Sequence, residues 1–165
     1  MVMPVVFIFL LGIIWFGRAF NIYSTITQAA QQGAIVAARP TCATCGNAFP
    51  ANGSVGACPA PNPTVVCAVS AVMQASSLDP TQIIGSASIG TPVFCAIPFA
   101  PAGSCSTTSN NIKVCREILL NQPGQIPVCG ATVSFQYPFQ FYLPFTSLNL
   151  TQVLLSAHAQ SRMEN

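Results

Sequence analysis

Hydrophobic and polar positions change their pattern three times along this chain. From Met1 to Gly17 there is no charged residue, and the only polar side-chain group is the indole N–H of Trp15. Seventeen such residues in a helix span about 26 Å, the short limit for crossing a bilayer. Pro4 is tolerated near a helix start. Past Arg18 the residues sort onto two faces. Ala19, Ile22, Tyr23, Ile26, Ala29, Ala30, Gly33, Val36 and Ala37 recur at helical spacing, with Asn21, Ser24, Gln28 and Gln31 mostly opposite. Pro40 ends the run, because the residue before a proline is pushed out of helical geometry. The pattern therefore predicts one helix of nearly forty residues. Its first half suits lipid or the dry centre of a bundle, and its second half suits docking against a folded body.

The remainder reads as short elements between loops. Residues 41–63 are rich in Pro, Gly, Cys, Ala and Asn and predict a stapled loop. Thr64 to Leu78 carries Val65, Val66, Val69, Val72 and Met73 at helical spacing, with Thr64 as the N-cap and Asp79-Pro80 as the breaker. Gln82 to Ile89 is expected to be a strand and Thr91 to Asn111 a Pro/Ser/Thr-rich excursion. Ile112 to Leu120 fits either a strand or a short helix. Gly130 to Phe141 alternates cleanly, with Val133, Phe135, Tyr137, Phe139 and Phe141 on one side and Thr132, Ser134, Gln136 and Gln140 on the other. Pro138 marks that strand as an edge or a kinked one. A last strand is expected over Leu148 to Met163, with Val153, Leu155, Ala157 and Ala159 aligned. The fold class is thus α+β: a helical segment over 1–40, which is the membrane or filament segment, and a globular head over 41–165.

Composition sharpens this. The chain has 165 residues, of which 52% are apolar and only 5% charged, against roughly a quarter charged in a typical soluble protein. No charge lies between Arg39 and Asp79, and none between Glu117 and Arg162. A formal net charge of +2 without a basic stripe excludes nucleic acid as a partner. A surface of Ser, Thr, Asn, Gln and small apolar residues has little charge repulsion to keep copies apart. Ala29, Gly33 and Ala37 form a small-xxx-small row that admits a close backbone, and Gly12 and Gly17 are further candidate helix-packing positions. The start of the chain lacks the basic region and small-residue cleavage site of a signal peptide, so the apolar segment is expected to remain in the mature protein.

Eight cysteines, Cys42, Cys45, Cys58, Cys67, Cys95, Cys105, Cys115 and Cys129, begin after the helix and stop before the last expected strands. Beside a single histidine they are poor mixed-type metal ligands and fit an oxidising compartment with up to four disulfides, whose pairing the spacing leaves open. Cys42-Ala-Thr-Cys45 has thioredoxin-type spacing. A redox motif belongs at a helix start after a strand, whereas this one follows a helix and reads as a staple. Gly46 stands where a haem-attachment motif needs histidine. His158, Asp79 and a serine would be the only triad, with no G-x-S-x-G turn to present the nucleophile. No catalytic residue, cofactor or metal ligand is expected. Asn52-Gly-Ser and Asn149-Leu-Thr match glycosylation sequons, and Ser104 to Asn110 offers hydroxyls for O-linked sugar. The aromatics from Phe135 to Phe145 are expected to pack in the core or between subunits.

The ordered set "GIIWFGRAFNIY", "QQGAIVAARP", "LDPTQI", "VSFQYPF" and "LLSAHAQSRME" resembles the TadE-like family of tight-adherence pilus proteins. The likeness covers both ends and part of the middle, and leaves 91–128 as an insertion carrying Cys95, Cys105 and Cys115. The resemblance implies a pilin-like fold, a long N-terminal helix on a small antiparallel sheet. It implies insertion in the bacterial inner membrane before assembly and processing by a prepilin peptidase. It further implies partnership with pilus assembly machinery and copies of itself in a surface filament used for adhesion. A family member normally carries a glutamate before the apolar run and an acid where Trp15 stands; here the sequence opens several residues inside the apolar run, so that either its start is truncated or misassigned or this member lacks the glutamate, and Trp15 replaces the second acid.

Overall fold

The computed structural model describes residues 3–39, 64–85, 91–95, 103–108, 110–121, 125–140 and 152–163. Helix α1 runs unbroken over Met3–Ala38, 36 residues, or about 54 Å. Its burial switches where the pattern predicts. Before Thr25 no described side chain of α1 is fully buried, while Thr25, Ile26, Ala29, Ala30, Gly33, Ala34, Ala37 and Ala38 are.

Helix α2, Val65–Ala75, opens on Thr64, whose hydroxyl accepts from the Cys67 N–H at 3.3 Å. It ends three residues short of the expected Leu78. Ser77 adopts a left-handed φ of 58°, and the Leu78 N–H reaches back to the Met73 carbonyl at 2.9 Å while that of Ser77 bonds Gln74. This is a Schellman closure with serine in the position glycine usually holds. Asp79-Pro80 therefore does not break α2; it starts a 3-10 turn over Pro80–Gln82.

Four antiparallel strands form one sheet in sequential order: β1 Ser104–Thr107, β2 Lys113–Leu119, β3 Cys129–Phe139 and β4 Val153–Arg162. The expected strand over Gln82 to Ile89 is not formed in its described part. The Ile84 N–H donates to Gln136 and the Gln136 N–H to Gly85, but Gly85 turns to a φ of 61°, which ends the pairing; 86–89 lie outside the described residues. Gln136 thus directs both backbone groups away from β4. Residues two apart share that direction, so the nitrogen of Pro138 points off β4 as well, past the end of β2, where no ladder N–H is missed.

The Thr91–Asn111 excursion contains a strand that pattern could not reveal, because "SCST" has no apolar alternation. β1 is held by its register with β2, in which Cys105 stands directly across from Cys115 and is disulfide-bonded to it. Asn111 takes the left-handed turn position at φ 58°. Beyond β1, the segment 93–95 continues along the same edge of β2, with Cys95 donating to the Glu117 carbonyl and Leu119 to that of Val93. Glu117, at φ 56°, sits in a bulge where the β2–β3 register shifts.

One face of the sheet carries Val114, Val133, Phe135, Tyr137 and Ala157 against the second half of α1, with α2 completing the core. This is the α+β, pilin-like arrangement expected from the sequence.

Candidate functional site

The first half of α1 leaves this core and projects. Phe9, Ile13, Ile14, Phe16 and Phe20 are each more than 60% exposed, and with Phe7 and Leu10 they cover a broad arc of the helix, while Leu11, Gly12, Trp15 and Ala19 on the remaining arc are half-buried. Monomeric soluble proteins rarely leave so large a contiguous apolar surface in water. Among the described residues α1 is the helix long and apolar enough to cross a membrane, by length and composition, over Phe9–Ala38. Trp15 and Tyr23 flank Arg18, whose guanidinium lies 5.9 Å from the Trp15 ring centroid. Aromatic rings and a long basic side chain within two turns are the usual occupants of a membrane–water boundary.

Arg18 is also the top of the head-facing stripe. Arg18, Ile22 and Ile26 follow at i, i+4 and i+8 and so share one face; Ile26 is fully buried and Ile22 packs against the core edge. Where this face clears the core it borders a cleft of about 580 Å³, lined among others by Arg18, Ile22, Leu78, Asp79, Tyr137 and Gln140. Asp79 accepts from the Thr81 N–H at 2.9 Å and the Thr81 hydroxyl at 2.7 Å, which hold its carboxyl below the ordinary carboxylate range. Burial pushes the Tyr137 phenol up, so it remains a neutral hydroxyl, 3.3 Å from the Gln82 side-chain oxygen. Sequence reasoning passed over this cleft. Its signal in the sequence was two isolated charges, Arg18 at the change of pattern within α1 and Asp79 just past the end of α2.

The candidate helix-packing positions divide. A Cβ on Gly33 would lie 2.8 Å from Val69 Cγ2 and 3.3 Å from Val133 Cγ1, so α2 and β3 of the same chain already occupy that close approach. Ala29 and Ala37, fully buried, belong to the same core. Gly12 and Gly17 meet nothing within 4 Å. The small-residue row therefore serves the head, and the open glycines lie on the projecting half.

Cys95 is bonded to Cys129 and Cys105 to Cys115, and Cys67 is disulfide-bonded as well. Cys42, Cys45 and Cys58 lie outside the described residues, as do Asn52, Asn149 and Phe141 to Phe145. No group of residues able to hold a metal ion occurs among the described residues. His158 stands across from Ser134 in the β3–β4 ladder, on the face away from α1. The buried Ser134 hydroxyl has no hydrogen-bond partner among the described residues, and Asp79 lines the neck cleft.

No curated protein and no solved structure matches the chain. The model of the TadE-like protein family matches residues 1–34, which places the resemblance on the projecting half of α1 and the first part of its docked half.

Proposed function

We propose that the chain is a structural subunit of an extracellular pilus-like filament, held in the bacterial inner membrane by residues 1–40 until assembly. Prepilin peptidase and the pilus assembly machinery are its transient partners, and copies of itself its permanent ones. The observation that carries this reading is the projecting half of α1: a broad exposed apolar surface on a helix rooted in a folded head. Such a surface is stable in lipid, and equally stable among like helices, so transfer from one to the other costs little hydrophobic free energy. The head, stapled by disulfides, forms the outer shell. Few charges on the head permit close approach between neighbours.

Electron microscopy of material purified from the native surface tests this. Fibres with the chain as their repeating subunit are expected. A chain that floats with membranes while fibres form without it would instead be a membrane-anchored accessory pilin, and the filament reading would be lost. Gly12→Leu is expected to leave membrane levels intact and to reduce or widen fibres, because Gly12 is one of the open small positions on the projecting helix.

A further inference from the structure

We infer that the cleft at the neck of α1 binds the headgroup of a phospholipid bearing a primary ammonium, with Arg18 taking the phosphate and Asp79 the ammonium. The inference rests on the membrane-inserted state proposed above and adds a ligand to it. Arg18 and Asp79 are the charged residues among the described lining of the cleft, one of each sign. Both are exposed to its opening. The Asp79 carboxylate is held ionised by its two bonds from Thr81, so a neutral carboxyl does not compete with a cation.

Depth supports the same occupant. Trp15 and Tyr23 bracket Arg18 along the helix, which sets the lipid–water boundary at the level of the cleft. Below it the helix presents only apolar side chains to the acyl region, and Ile22, Leu78 and Ile84 give the cleft an apolar wall for the glycerol and first methylenes. A guanidinium recognises phosphate through paired N–H donors, and a carboxylate recognises an ammonium by charge-assisted hydrogen bonding. A lipid with phosphate but no amine satisfies only the first. Phosphatidylethanolamine is therefore preferred over phosphatidylglycerol.

The full chain, reconstituted in phosphatidylcholine vesicles doped equally with phosphatidylethanolamine and phosphatidylglycerol, is first floated, and then released into mild detergent for native mass spectrometry of retained lipid. Preferential retention of phosphatidylethanolamine by about tenfold is expected, the factor set by one charge-assisted hydrogen bond. Asp79→Asn should abolish the preference while retaining the turn it caps, because asparagine also caps. Arg18→Gln should lose both lipids and Arg18→Lys should restore part of the retention. Equal retention of the two lipids, or a preference that survives Asp79→Asn, would overturn the inference while leaving membrane insertion standing. A chain that fails to float overturns both.

Discussion

The two halves of α1 are one continuous helix under opposite constraints. In the projecting half, any apolar side chain serves, and Phe, Ile, Leu and Val alternate without evident order. In the docked half the side chains shrink to Ala29, Ala30, Gly33, Ala34 and Ala37, because α2 and β3 come close enough that a single methyl on Gly33 would press on Val69 and Val133. A fluid environment asks only for hydrophobicity, while a folded one asks for shape. The match to a family model over residues 1–34 lies within the helix and does not extend to the head.

Paired substitutions break this comparison if it is wrong. The largest difference is expected between Phe135→Ala and Ile14→Ala. Phe135 is fully buried, so its truncation should cost the head about 4 kcal/mol. Ile14 is 65% exposed and its truncation should leave the denaturant midpoint of the head where it was. A shared shift would mean that the projecting half folds back on the head in solution.

Comparable and slightly smaller effects come from the staples. Serine at Cys95 and Cys129, which close a separation of 34 residues, should destabilise the head by about 4 kcal/mol on chain-entropy grounds. The same change at Cys105 and Cys115, separated by 10, should cost about 3 kcal/mol. Flotation with vesicles should be unaltered in both. An equal loss in the two variants would show that chain entropy does not govern these bridges.

Next comes Gly33→Leu against Gly12→Leu. The first is expected to lower head stability by about 3 kcal/mol through overpacking, seen as scarce subunit in membranes. The second should be thermodynamically silent in the monomer. Abundant Gly33→Leu subunit with a normal denaturation curve would show that the docked half has slack this structure does not contain.

The smallest effect concerns acid. Asp79 has a folded-state carboxyl held low by Thr81. A depressed folded value means that its contribution is present above the unfolded value and fades as the pH falls through the folded one. Head stability should therefore dip slightly below about pH 4, and Asp79→Asn should flatten that dip. Denaturation curves between neutral and strongly acidic pH decide it.

Much of this fold was legible because its signals were local. Thr64 capping α2, the clean alternation from Val133 to Phe139, and the change of pattern at Arg18 each depend on residues within a turn or two. What stayed hidden depends on distant partners. β1 has no alternation and exists through its partner strand and a cross-strand disulfide. The strand expected from Gln82 yields to Gly85. Serine closes α2 where glycine would have announced the stop. The small-residue row was visible, but whether it faced another copy or the chain's own α2 is a question of tertiary placement that spacing does not answer. The neck cleft joins Arg18 to Asp79 across sixty residues of sequence, beyond the reach of any short motif.

The unbroken course of α1 also has a mechanical consequence. No proline lies within it after Pro4, and no linker separates the stalk from the head, since Ile26 through Ala37 are themselves wall of the core. Axial load on the stalk is thus delivered along the rod into the interlocked side chains of α2 and the sheet. If the chain is drawn from lipid into a filament as proposed, a push on its head acts on a lever without a joint, and tension would shear packed side chains rather than stretch a tether.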